Sequence, residues 1–72
     1  MLTVLYIGDK LRETRKYALL TQQQLADKSG VDIATIVRIE RNQVEPQART
    51  IRKLAQALGV KPHELLKGDG HG

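Results

Sequence analysis

Apolar residues along this chain recur at three- and four-residue intervals, which is helical spacing, and only the first few positions alternate or cluster otherwise. Ile7, Leu11, Thr14 and Ala18 define a first stripe, with charges between them, and predict a helix from Asp9 to about Ala18. Two start signals of one design follow. Thr21 caps a helix and Gln24 completes a capping box, with Leu20 and Leu25 as the staple around it. Asp32 caps the next, with Val31 and Ile36 as its staple. Gly30 stands between them, where a positive φ turns the chain sharply. The second helix is therefore expected over 22–29 and the third over 33–41. Asn42 suits a left-handed stop. Glu45-Pro46 marks a loop, because the residue before proline avoids the helical region. Ile51, Leu54, Ala55 and Leu58 form the clearest stripe and predict a fourth helix over 47–58, ended by Gly59. Pro62 suits the first turn of a short fifth helix carrying Leu65 and Leu66.

Composition narrows this all-α picture. A chain of 72 residues holds one domain and buries only ~60% of its unfolded surface. The division expected is an extended or partly ordered arm over 1–7, a helical domain over 8–66 and a flexible, Gly-rich tail over 67–72. The arm (Leu2-Thr3-Val4-Leu5-Tyr6-Ile7) is β-prone and broken by Gly8; it either packs on the body or pairs with a second copy. Tyr6 and Tyr17 are the only aromatic residues, so the core must be aliphatic. With no cysteine there is neither disulfide nor thiolate metal site. No apolar run approaches the ~20 residues that span a bilayer, and the expected location is the cytoplasm. The net charge of +4 favours a polyanionic partner.

Two short helices joined by a glycine turn describe a helix-turn-helix. Ala26 must be small where the helices cross, and Ile36 and Ile39 must point inward. The run Leu20-Thr21-Gln22 through Leu25-Ala26, Gly30-Val31 and Thr35-Ile36-Val37-Arg38-Ile39-Glu40-Arg41 resembles the Cro/C1-type, or XRE-like, helix-turn-helix family. The later run Leu54-Ala55-Gln56-Ala57-Leu58-Gly59-Val60 with Glu64-Leu65-Leu66 resembles its closing helices. The likeness covers roughly residues 8 to 66. It implies a five-helix, lambda-repressor-like domain that binds double-stranded DNA, with helices 2 and 3 as the helix-turn-helix and the third in the major groove.

Residues advance ~100° per position around a helix. Ile33, Ala34, Val37, Arg38 and Arg41 then share an arc of ~140° on the third helix, opposite Ile36 and Ile39. Ile33, Ala34 and Val37 can meet thymine methyls, and Arg38 can grip guanine O6 and N7 in a bidentate fork. These four are the expected base contacts. Phosphate contacts are expected from Gln22, Thr35, Arg41, Asn42, Gln43, Arg49 and Thr50. For Gln22 the resemblance implies both a phosphate bond and a side chain that braces the recognition helix. From Arg38 to Lys53, five basic residues stand against two acidic ones, so this stretch is net positive. The resemblance also implies a structural pair, Arg15 with Glu40, that locks the recognition helix to the scaffold. Departures from the family pattern are Ile33, Val37, Asn42 for a usual glycine, and Lys61 where a Ser or Thr cap is common.

Enzymatic chemistry is not expected. His63 and His71 have no companion at catalytic or ligand spacing, and no phosphate-cradling loop or nucleophile motif occurs. Neither metal nor cofactor is expected. The competing class is an interaction module, an antitoxin binding its toxin or an adaptor binding transcription machinery. A homodimer is expected, because one such helix reads few base pairs and paired half-sites ~34 Å apart supply the rest. Leu65, Leu66 and the Leu2–Ile7 arm are its candidate contacts.

Overall fold

A computed structural model of the chain describes residues 6–66. Those residues form five helices: α1 (Gly8–Tyr17), α2 (Gln22–Ser29), α3 (Ile33–Glu40), α4 (Ala48–Leu58) and α5 (Pro62–Leu66). The expected ends shift by one residue at α1, α3 and α4. The tail expected over 67–72 and the arm up to residue 5 lie outside the described residues.

Local chemistry sets the helix starts. Thr21 Oγ1 accepts the Gln24 N–H at 3.0 Å while Gln24 Oε1 accepts the Thr21 N–H at 2.8 Å, a complete capping box. Asp32 Oδ2 accepts the Thr35 N–H at 3.2 Å. At Lys61, which lacks a cap-forming side chain, the backbone N–H reaches Glu64 Oε2 at 3.4 Å.

The four longer helices all end on a residue with positive φ: Leu19 (61°), Gly30 (77°), Asn42 (57°) and Gly59 (73°). After α1, the Leu20 N–H reaches Arg15 O and the Leu19 N–H reaches Lys16 O. After α3, Gln43 reaches Arg38 O and Asn42 reaches Ile39 O. Both are Schellman closures, which satisfy carbonyls that a helix end leaves open.

The core is aliphatic, as the two-tyrosine composition requires. Leu11, Leu25, Ile36, Ile39, Leu54 and Leu65 are fully buried, and Ile7, Ala26, Val31, Ile51 and Ala55 complete the cluster. Each fully buried Leu or Ile contributes roughly 1.5–3 kcal/mol of transfer free energy. Helix α2 packs on α3 and α4, while α1 packs on α3 and α5.

Three expectations change. Ala18 is exposed and the α1 core face ends at Arg15 instead, because that side chain is drawn inward by a buried carboxylate. Leu65 is fully buried in its own core, so it cannot meet a second copy; only Leu66 stays exposed. Ile7 is likewise 4% exposed and belongs to the core rather than to a free arm.

Candidate nucleic-acid interface

The outward side of α3 is defined by what its inward side holds. Ile36, Ile39 and Glu40 are buried, at about −60°, −120° and −20° on a wheel with Ile33 at zero. Ala34 and Arg38 are exposed and Val37 is half-buried, at roughly 100°, 140° and 40°. Arg41, the first residue past the helix, is exposed too. Ile33 departs from the expected outward set. It is half-buried and packed against the core, since it lies only ~20° from Glu40 and ~60° from Ile36. Thr35 is half-buried, ~60° beyond Arg38, so it flanks the arc rather than joining it.

A buried ion pair fixes this orientation. Arg15 Nε donates to Glu40 Oε2 at 2.7 Å and Nη2 to Oε1 at 2.9 Å, while Nη1 donates to Leu20 O at 2.9 Å. Gln22 Nε2 adds a third bond to the same carboxylate, to Oε1 at 3.0 Å. One carboxylate on α3 thus receives donors from both α1 and α2. Arg15 and Glu40 are 9% and 4% exposed. The pair is bidentate and a third donor, Gln22, reaches the carboxylate, which is the kind of support that makes burying two charges tolerable. The hydrogen bond to Glu40, opposed in part by burial and aided by the carboxylate's charge, holds the Arg15 guanidinium above its ordinary pKa. The structural pair that the resemblance implied is therefore present, and so is the brace by Gln22. The second N–H of the Gln22 amide remains for an external acceptor.

At the exit of α3, Asn42 is turned to other use. Its Oδ1 accepts the Gly8 N–H at 2.9 Å. The first turn of α1, rich in unpaired N–H groups, thereby docks on the carbonyl end of α3, so the two helix dipoles meet with opposite signs. The contact admits no side chain at position 8. A Cβ there would stand 2.5 Å from Ile39 O and 2.7 Å from Glu40 O, and would strike Asn42 Oδ1. The sequence treats Gly8 only as an interruption. Its pairing with a residue 34 positions away leaves no local signal.

Arg38, Arg41, Gln43 and Arg49 are exposed and Thr50 is half-buried. Arg15 is paired with Glu40 and Arg12 with Asp9, whereas the exposed arginines of α3, its exit and the start of α4 put positive charge on the outer surface. Because Glu40 is neutralised internally, the exposed charge of this stretch is more positive than its composition suggests. The first N–H groups of α4 have no side-chain cap from Gln47, which leaves them beside Arg49 and Thr50.

A family model described as helix-turn-helix matches residues 11–65. The transcriptional repressor RghR of Bacillus subtilis (strain 168) is 47% identical over 60 residues, covering 82% of this chain and 44% of that protein. The restriction-modification controller protein C.AhdI from Aeromonas hydrophila superposes with a TM-score of 0.80 at 39% identity, over 85% of this chain and 92% of its own. The P22 c2 repressor, solved in complex with a synthetic operator, gives 0.78 at 32% identity, over 94% of this chain and all of its own. The chain spans less than half the length of several of the curated relatives it matches, RghR among them.

Proposed function

The chain belongs to the helix-turn-helix family, in its Cro/C1-type (XRE-like) branch, and from that premise we propose that it is a sequence-specific double-stranded DNA-binding regulator, acting as a repressor. One observation carries the reading. The outward side of α3, away from Ile36 and Ile39, presents Ala34 and Arg38 exposed and Val37 half-exposed. Arg38 reads guanine through its fork, and Ala34 and Val37 meet thymine methyls; Ile33 contributes only the edge its partial burial leaves. Thr35, Arg41, Gln43, Arg49 and Thr50 bind phosphates. Gln22 joins them through the amide proton that Glu40 leaves unused, so the carboxylate that fixes α3 also aims a phosphate ligand. The C.AhdI and P22 c2 likenesses support a regulator of this kind. The protein works as a cytoplasmic homodimer, with half-sites ~34 Å apart.

Selection of binding sites from random DNA with the purified chain, followed by salt titration on the winner, tests this. A two-fold site whose affinity falls with salt while its preference over random DNA persists is the expected result. Enrichment of nothing above background would remove the DNA-reading function and favour an interaction module of the antitoxin or adaptor kind.

A further inference from the structure

Helix α3 is unevenly equipped to read bases. Its outward side holds Ala34, Val37 and Arg38, with Thr35 beside them and Ile33 drawn half into the core. From Ile33 to Val37 no residue is an amide, an acid or a cation. Arg38 is the one side chain of α3 on this arc that can make the bidentate bonds by which one base pair is told from the others. Ile33 and Val37 both depart from the family pattern, so this apolar surface is particular to the chain. The Arg15–Glu40 bridge and the buried Ile36 and Ile39 fix the rotation of α3, so no other residue of the helix rolls into the place of Ala34 and Val37. Ala34 lies ~40° from Arg38 and ~60° from Val37, and the stretch from Ala34 to Arg38 covers ~6 Å of helix axis. Base pairs rise ~3.4 Å, so what these three side chains meet lies within about two neighbouring pairs.

We propose that under Ala34 and Val37 the protein selects the 5-methyl group of a pyrimidine rather than a base pair, so that 5-methylcytosine serves there as well as thymine and plain cytosine does not. In the major groove thymine and 5-methylcytosine carry the same methyl at C5. They differ at the neighbouring group, an O4 acceptor in one and an N4 donor in the other, with a matching change from adenine N6 to guanine O6 across the pair. Only a hydrogen-bonding side chain senses that difference, and Ala34 and Val37 have no polar group. What they sense is the methyl, which leaves water when they cover it and is then worth about fourfold in affinity. Arg38 supplies the hydrogen-bonded reading, of a guanine within about two pairs of that methyl. Methylation of a cytosine at C5 therefore turns a weak site into a strong one with no change of base sequence, and binding responds to the methylation state of the DNA. The inference rests on the DNA-reading function proposed above and adds what α3 selects.

The test is competition binding on the site selected from random DNA, with its bases altered one group at a time. Deoxyuridine in place of a thymine removes the methyl alone. At one or more thymines near the guanine whose preference Arg38→Ala relaxes, this should lower affinity about fourfold, and about fifteenfold when both half-sites are altered. At that position a 5-methylcytosine–guanine pair should bind within about twofold of thymine–adenine, and an unmethylated cytosine–guanine pair no better than the uridine one. The double variant Ala34→Gly with Val37→Ser should bring the thymine-to-uridine affinity ratio towards one while the guanine preference of Arg38 persists. That ratio compares two DNAs on one protein preparation, so partial unfolding of a variant does not alter it. Uridine tolerated at every thymine, 5-methylcytosine binding as poorly as cytosine, or a ratio that the double variant keeps would each overturn the inference and leave the DNA-reading function standing. A selection that enriches no site removes both.

Discussion

Leu19 stands where the backbone favours glycine, and Gly8 stands where its surroundings demand it. Leu19 holds a left-handed conformation that costs a side-chain-bearing residue roughly 1–2 kcal/mol, and at 88% exposure it recovers little by burial. Leu19→Gly removes that strain and loses part of the gain, ~0.5–1 kcal/mol, to the greater freedom of glycine in the unfolded chain. Strain relief wins, so the melting temperature should rise by a few degrees in a calorimetric scan. Gly8 is the reverse case, ordinary in φ but with carbonyl oxygens where a methyl would go. Gly8→Ala should cost about 1–3 kcal/mol in urea denaturation, because backbone rather than a flexible side chain must yield. Equal stability of the alanine variant would mean that α1 does not seat on α3 as described. Neither residue was legible in the sequence. A left-handed stop is expected of Gly or Asn, so Asn42 announced itself and Leu19 did not. The crowding at Gly8 depends on a neighbour far along the chain.

At the level of elements, the sequence was most informative where the signal is local. The Thr21 box, the Asp32 cap, the turn at Gly30 and the α4 stripe all lie within a few residues of what they control, and each forms as expected. The last core position of α1 did not follow periodicity, because Arg15 outcompetes Ala18 for the inward side once Glu40 is there to receive it. That pair sets the pose of α3. Glu40→Ala leaves the Arg15 guanidinium buried without its carboxylate and the Gln22 amide without its acceptor. It should cost ~3–5 kcal/mol in denaturant melts. Replacing both charges, Arg15→Met with Glu40→Leu, should cost distinctly less than the single change, since no orphan charge remains. A single variant as stable as the parent chain would show that the bridge does not hold the helix. Because Arg15 is held above its ordinary pKa, its share of the stability is complete at every pH below the unfolded arginine's and is lost only above it. The arginine side of the bridge therefore gives no pH dependence near neutrality.

For the whole molecule, the outward arc of α3 was legible as a pattern but not as a boundary. Its orientation followed from Ile36 and Ile39, whereas the half-burial of Ile33 arises from packing that one helix wheel does not show. The roles proposed for the exposed residues separate by salt. Arg38→Ala should relax preference at one base pair, worth ~1–3 kcal/mol, in competition binding on the selected site. Arg49→Ala should weaken specific and random DNA alike and lower the slope of log affinity against log salt by about 0.9. Were Arg38→Ala to lower affinity for all sequences equally, the arginine would be a backbone ligand and the reading of bases would rest on Ala34 and Val37 alone.

Three helices also meet at one acid. The Glu40 carboxylate on α3 accepts from Arg15 on α1 and Gln22 on α2, so α3 cannot detach without breaking bonds to both, and neither α1 nor α2 can leave without breaking its bond to α3. Opening of this part of the chain should then be all-or-none rather than helix by helix. Amide protons in the middles of α1, α2 and α3 should exchange with deuterium at a single common free energy, and a chain lacking the acid should split that value into separate, lower ones.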